Sequence, residues 1–336
     1  MLIQNNDIFQ IGSFTGTHDK LPVGTYRLRQ NPKTDEYFLV QTEDFILPHK
    51  LYGEFKDIDR ILTSFHNTTK NLAALFVGIK GSGKSISAKK LCIDSGLPVI
   101  IIDAGYDDVE LISFLSSPEL GSCVIFIDEY EKLYSEPRNV DETIMLQILD
   151  GACNSHHLFL LTVNDMGSFN KNLINRPSRI FYRKTYDGLP EDLINEVLEA
   201  ELINKKWLKE MKDVLGRFAD VTFDILMSLI REVNLYDESP LECAKLMNFS
   251  PDSVYVDVVQ IHADGVRRQC SCTTLFGNGD LVELCTYRTS EKESDYDWKY
   301  YKIELIKRIS PTSWELKDED GIHFIFTKAS KYKFLF

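Results

Sequence analysis

Gly78-Ile-Lys-Gly-Ser-Gly-Lys-Ser85 (GIKGSGKS) follows the apolar run LAALFV (72–77) and precedes ISAKKLCI (86–93). The stretch fits G-x-x-x-x-G-K-[ST] and lies between a buried-strand pattern and an amphipathic-helix pattern, the setting in which this motif works. Glycine at positions 78 and 83 lets backbone N–H groups curl around phosphate oxygens. Lys84 is long enough to reach β and γ phosphates, and the Ser85 hydroxyl suits a magnesium coordination position. Lys80, Gly81, Ser82 and Ile86 complete the candidate nucleotide-binding set. A glycine-rich turn that matches by chance is the competing explanation, and the flanking strand and helix patterns disfavour it.

Working outward, the apolar runs LAALFV, PVIIID (98–103), CVIFID (123–128) and LFLLTV (158–163) alternate with helical patterns, and RIFYRK (179–184) offers a fifth strand. Buried strands alternating with helices predict a parallel α/β sheet. Residues 186–250 lose the strand signal: EDLINEVLEAELINKKWLKEMK and TFDILMSLIREVN predict a helical subdomain. From 251 to 336 alternating segments such as SVYVDVVQI, DLVELCTYR, YYKIELIKRI and IHFIFTK predict a small antiparallel β-barrel or sandwich. Before the α/β region, GTYRLRQ and EYFLVQTEDFIL flank the turn-rich NPKTD, so residues 1–52 read as a β-hairpin leader beside a nucleotide-binding domain at 53–185.

Acidic and amide side chains stand where phosphate chemistry needs them. CVIFIDEY ends a strand with Asp128, placed to hold magnesium with Ser85, and Glu129, placed to act as general base on the attacking water. LFLLTVND ends in Asn164, an amide suited to the γ phosphate or the water, with Thr162 as a weaker candidate. NRPSR places Arg176 and Arg179 three apart before a strand; alone, they read equally as surface charges.

The 336 residues allow two or three domains, and a 43% hydrophobic fraction is that of a globular chain. No apolar stretch approaches the roughly 20 residues of a membrane-spanning helix, and MLIQNNDIFQ shows no secretory pattern, so a cytoplasmic protein is expected. Net charge of −13 disfavours a broad electrostatic grip on nucleic acid. Seven scattered cysteines point to reduced thiols; Cys270, Cys272, Cys285 and His262 are donor types that zinc takes, but C-x-C without a second close pair favours buried strand thiols.

Taken in order, GIKGSGKS, CVIFIDE, QILDG, FLLTVND and NRPSR make the chain resemble an AAA-type ATPase of the AAA+ superfamily, nearest to those encoded by bacteriophages. These correspond to Walker A, Walker B, the helix end after it, sensor 1 and the arginine-finger box, over about residues 71–248. GTYRLRQNPKTDEYFL also resembles the leaders of the phage proteins. The resemblance implies ATP and Mg2+ as cofactors and a homo-oligomeric ring, usually a hexamer. ATP would be sandwiched between subunits, with Arg176 and Arg179 acting in trans on the neighbour's γ phosphate. Ser178 replaces the glycine of the common RPGR form, leaving both arginines in place. About twenty residues separate VIIID from Walker B, which shortens the region where protein-threading relatives carry an aromatic pore loop. Tyr106, the aromatic nearest that position, is expected to pack rather than grip a substrate, and Arg231 is a poor match to a sensor 2 arginine.

Three functions follow as expectations. The first is an ATPase remodelling a protein or nucleoprotein partner. The second is a DNA-metabolism accessory of helicase or clamp-loader type. The third is a nucleotide-gated assembly scaffold, for which the tail KASKYKFLF offers a docking element alongside its plainer reading as a last strand.

Overall fold

The computed structural model describes residues 2–5, 8–11, 18–53, 55–134, 141–153, 155–164, 173, 176–186, 188–216, 218, 220–247, 254–271, 273–275, 281–288, 296–310, 312–318 and 321–329. Cys272 and the tail from residue 330 lie outside them. The chain divides into two units: Met1–Gly78 with Lys84–Tyr186, and Ile79–Gly83 with Asp187–Phe336.

The first unit opens with a small hairpin, β1 (Leu2–Asn5) and β2 (Ile8–Ile11). Next come β3 (Thr25–Gln30), β4 (Tyr37–Thr42), α1 (Lys56–His66), β5 (Leu72–Gly78), α2 (Lys84–Ser95), β6 (Val99–Ile101) and α3 (Glu110–Leu115). It continues with β7 (Val124–Ile127), α4 (Glu131–Tyr134), α5 (Thr143–Gln147), a π-helical turn (Ile148–Ala152), β8 (Leu158–Val163) and β9 (Tyr182–Tyr186). Seven strands form one sheet in the order β4-β3-β6-β7-β8-β5-β9; only the β3–β4 pair is antiparallel.

Strand side chains alternate between faces, so the apolar runs build two cores. Ala73, Leu75, Val77, Ile125, Ile127, Phe159 and Leu161 face α3, α4 and α5 through Leu111, Leu115, Leu133, Ile144 and Met145. Ala74, Phe76, Val124, Phe126, Leu158 and Leu160 face α1 and α2 through Ile58, Ile61, Phe65, Ala88 and Leu91. Burial on both faces explains why these strands read as continuous apolar runs.

The β3–β4 hairpin belongs to the main sheet. β3 lies parallel to β6, Leu28 sits in the first core, and Asp103, just past β6, accepts from Arg29 at 2.6 Å and from Arg27 at 2.5 Å. Tyr106 is buried, its hydroxyl donates to the Leu28 carbonyl at 3.2 Å, and its ring meets Tyr37 edge-on at 5.2 Å. It is a packing residue.

The second unit contains α6 (Glu191–Glu201), α7 (Leu208–Leu215), α8 (Phe223–Tyr236) and α9 (Pro240–Leu246). Its strands are β10 (Val254–Ile261), β11 (Arg267–Gln269), β12 (Thr273–Leu275), β13 (Leu281–Tyr287), β14 (Tyr296–Lys302), β15 (Lys307–Ser310), β16 (Ser313–Lys317) and β17 (His323–Lys328). The Thr222 hydroxyl caps α8 by accepting from the Ile225 N–H. One antiparallel sheet runs β11-β10-β17-β16-β15 with β12 also on β10, and β13–β14 forms a second. Val256, Trp314, Phe324 and Phe326 share one core with Val282, Leu284 and Tyr301 across the two sheets. The buried Gln260 amide clamps both backbone groups of Tyr287, bonding β10 to β13. Trp314 donates to the Gly216 carbonyl and Lys328 pairs with Asp220, tying the β layers to the helical part.

The expected fold class is observed: a parallel-stranded α/β sheet, a helical segment and C-terminal antiparallel sheets. Cys270 and Cys285 are buried, burial pushes the Cys270 thiol up to about 11, and no metal-binding group of three or more His, Cys, Asp or Glu occurs among the described residues. No helix among them is long and apolar enough to cross a membrane.

Candidate active site

The candidate site lies where β5, β7 and β8 end, the carboxyl edge at which open α/β sheets bind ligands. Gly78 closes β5, and a Cβ there would stand 2.0 Å from the Tyr186 carbonyl oxygen, so close backbone approach demands glycine. Gly81 (φ +76°) and Gly83 (φ +96°) take conformations that L side chains rarely adopt. Within the second unit, the Gly81 carbonyl accepts from the Phe223 N–H at 2.9 Å, and a Cβ on Gly81 would meet Asp224 at 2.7 Å. The Ser82 hydroxyl is buried and has no hydrogen-bond partner among the described residues. Lys80 is exposed and Ile86 half-buried.

Lys84 opens α2 and is only 5% exposed. Its ammonium donates to the Gly78 carbonyl at 2.5 Å and to Asn164 Oδ1 at 3.1 Å. Ser85 Oγ donates to Asp128 Oδ1 at 3.2 Å, and the same carboxylate oxygen accepts from Thr162 at 2.6 Å. Thr162, fully buried, also accepts from the Glu129 N–H at 2.9 Å, while its carbonyl accepts from the Tyr130 N–H. The weaker sequence candidate therefore braces the acidic strand end.

Glu129 stands at φ +52°, a left-handed conformation that costs a non-glycine residue on the order of 1–3 kcal/mol. Its carboxylate is engaged on both sides, by Asn164 Nδ2 at 2.9 Å and by Lys132. Glu131 Oε1 accepts from Asn164 twice, from the backbone N–H at 3.1 Å and from Nδ2 at 2.8 Å. The five predicted side chains form two hydrogen-bonded groups, Lys84–Asn164–Glu129 and Ser85–Asp128, which Thr162 joins by donating to Asp128 and accepting from the Glu129 backbone N–H. Sequence reasoning missed Glu131 and Lys132. The acidic repeat in DEYE, two residues past Glu129, was the available signal for Glu131.

The two arginines have different surroundings. Arg176 is exposed on the turn before β9. Arg179 is 8% exposed and grips Asp150 through two hydrogen bonds of 2.6 and 2.5 Å, which hold the Asp150 carboxyl below its ordinary range. Asp150 lies on the π-helical turn and Gly151 beside it takes φ +98°, so QILDG is the brace for the arginine turn.

The donor set fits ATP with magnesium. Within the first unit, a glycine at the closest approach and a buried lysine at a helix start suit phosphate oxygens. Ser85 and Asp128 supply two hard oxygen donors, as a magnesium ion that keeps several waters requires.

Residues 74–185, about a third of the chain, match the family model described as ATPase family associated with various cellular activities (AAA). No curated protein matches the sequence. Among solved structures, the RuvB Holliday junction branch migration motor of Thermotoga maritima is 15% identical over 60% of this chain and 72% of its own, with a TM-score of 0.44. Two substituted forms of that motor are similar to the same degree: one is 16% identical over 59% of this chain and 70% of its own, the other 14% identical over 60% and 74%, both at a TM-score of 0.44. The family match thus spans most of the phosphate loop's strand together with the loop itself, Asp128, Glu129, Asn164, Arg176 and Arg179.

Proposed function

We propose that the chain is an ATP-hydrolysing AAA+ ring ATPase that couples nucleotide turnover to remodelling of a protein or nucleoprotein partner. The observation that carries this is the hydrogen-bonded array at the strand ends in which Thr162 joins Ser85–Asp128 to Lys84–Asn164–Glu129. Leader sequence and motif order support kinship with bacteriophage-encoded members and a cytoplasmic site of action.

Lys84 exchanges the Gly78 carbonyl and Asn164 Oδ1 for the β and γ phosphates, a charge-assisted and therefore stronger pairing. Ser85 and Asp128 would hold a magnesium ion, which when bound offsets phosphate charge. Glu129 takes the proton of the attacking water, and Asn164 orients that water against the γ phosphate. Arg176, exposed, supplies the cation to the neighbouring subunit, probed by its own substitution, while Arg179 on Asp150 holds the arginine turn in shape.

Phosphate release and nucleotide titration test the reading. Lys84→Ala should lose ATP affinity. Glu129→Gln should bind ATP normally and turn over on the order of 10²-fold to 10⁴-fold more slowly. A fully active Glu129→Gln protein would remove the general-base assignment.

A nucleic-acid accessory role is the second reading, favoured by one surface. On β14, Tyr296, Trp298 and Tyr300 are exposed by 48%, 51% and 66% and alternate along one face, with Tyr287 opposite Tyr296 and Arg268 lying 4.8 Å over the Tyr287 ring. Such a row suits base stacking, worth about 1–3 kcal/mol per base. Net charge of −13 opposes it. Binding of single-stranded DNA at two salt concentrations by wild type and Trp298→Ala decides: no salt-sensitive, Trp298-dependent binding removes this reading.

A further inference from the structure

Asn164 is the busiest side chain of the site, because its amide faces three charged groups at once. Oδ1 accepts from the Lys84 ammonium, whereas Nδ2 donates to Glu129 and to Glu131. Two of these contacts are with groups that must change partners during hydrolysis. Lys84 has to turn to phosphate, and Glu129 has to turn to water. Glu131 is the remaining partner and is held twice over, by the backbone N–H and the side-chain Nδ2 of the same asparagine.

We infer that Glu131 is a positioning residue: it fixes the orientation of the Asn164 amide, so that Oδ1 points to the lysine side and Nδ2 to the general base, when Lys84 and Glu129 leave it. This deepens, and rests on, the ATPase reading above. The physical reason is that an amide offers two nearly isosteric ends. With Lys84 and Glu129 otherwise engaged, only an acceptor beside Nδ2 distinguishes one end from the other. A carboxylate serves, since it accepts and cannot donate when ionised. It also sits on α4, at the second residue after the base, so the strand end that carries Glu129 carries the orienting group with it.

One detail makes the inference sharp. Both bonds from Asn164 go to Oε1 of Glu131, and Oε2 is buried with no hydrogen-bond partner among the described residues. What the asparagine uses is therefore one acceptor oxygen, and a glutamine carbonyl can replace it. At Glu129 the opposite holds, because a proton acceptor is needed and glutamine cannot be one.

The test compares wild type, Glu131→Ala, Glu131→Gln and Asn164→Asp as full chains. Expected for Glu131→Ala is a fall in kcat on the order of 10-fold to 100-fold, the scale of a misplaced reacting geometry, with ATP affinity within about threefold of wild type because the phosphate loop is intact. Glu131→Gln should recover turnover to within about threefold of wild type. A second readout needs no turnover: in protein labelled with 15N-asparagine, the side-chain signals lost in Asn164→Asp identify the Asn164 amide. Read with magnesium and a non-hydrolysable ATP analogue bound, when Lys84 and Glu129 have turned away, its protons should exchange slowly in wild type and in Glu131→Gln, and move to the position and rate of an exposed amide in Glu131→Ala. The inference is overturned if Glu131→Gln is as slow as Glu131→Ala, which would make the charge itself the active feature. It is equally overturned if the Asn164 signals ignore Glu131→Ala, or if ATP affinity and turnover fall together. Should wild type hydrolyse no ATP, the ATPase reading falls, and the Asn164 signals still decide the positioning role.

Discussion

Glu129 and Gly78 show how single residues carry the cost of the site. Glu129 is held at φ +52° by bonds from its own backbone N–H and that of Tyr130 to Thr162. Glycine takes that conformation without the side-chain penalty of about 1–2 kcal/mol. Glu129→Gly should therefore melt no lower than wild type while ATP turnover is lost; calorimetry beside a phosphate-release assay checks both, and a large drop in melting temperature would show that the carboxylate's contacts outweigh the strain. Gly78 has no such freedom. Gly78→Ala places a methyl 2.0 Å from a backbone oxygen, so strand β5 must shift away from β9. A loss of roughly 1–3 kcal/mol, with nucleotide binding abolished, is the expected result of denaturant titration and ATP binding.

His157 links elements rather than atoms of the site. It is fully buried at the start of β8, where Nδ1 accepts from the Cys123 N–H at 3.2 Å and Nε2 meets the Leu115 carbonyl at 2.8 Å. A carbonyl can only accept, so the ring is neutral with its proton on Nε2, bonding β8 to the residue before β7 and to the end of α3. Burial holds its pKa below the ordinary histidine value. The folded state then binds the proton less readily than the unfolded chain. Stability is fully present above the unfolded pKa of about 6.5 and is lost as pH falls from there toward the folded value. Melting temperatures from pH 8 to pH 5 should fall for wild type, and the fall should be smaller for His157→Gln, whose side chain does not titrate. The β3–β4 hairpin works at the same scale. By pairing with β6 it covers what would be a sheet edge, and its arginines bind the carboxylate just past that strand.

For the whole molecule, the contrast between Arg176 and Arg179 decides how a ring is tested. Arg179→Ala removes the partner of Asp150 and should lower the melting temperature, by about 1 kcal/mol or less given the exposure of Asp150. Arg176→Ala should leave melting in place and reduce turnover on the order of 10³-fold if it acts on a neighbour. Mixing Arg176→Ala with Lys84→Ala protein under subunit exchange then creates interfaces where an intact pocket faces an intact finger. Partial ATPase activity should return. A mixture shown to contain both chains in one assembly, yet as inactive as its components, would count against catalysis in trans.

Local chemistry made the phosphate loop, the acidic strand end and the alternation of buried strands and helices legible in the sequence. Each depends on residues within a few positions of one another: glycine at strained turns, lysine at a helix start, apolar runs buried on both faces. The antiparallel C-terminal layers were legible for the same reason, through the two-residue period of their strands. Tertiary structure alone decided that the leader hairpin joins the main sheet through β3 and β6, since strand pairing depends on segments some seventy residues apart. It also separated Arg179, buried on Asp150, from Arg176, exposed, although both stand in one short motif. Most tellingly, it brought Glu131 to Asn164 across thirty-three positions. A hydrogen bond acts over about 3 Å of space, and no spacing in the chain encodes which distant side chains folding will place within that reach.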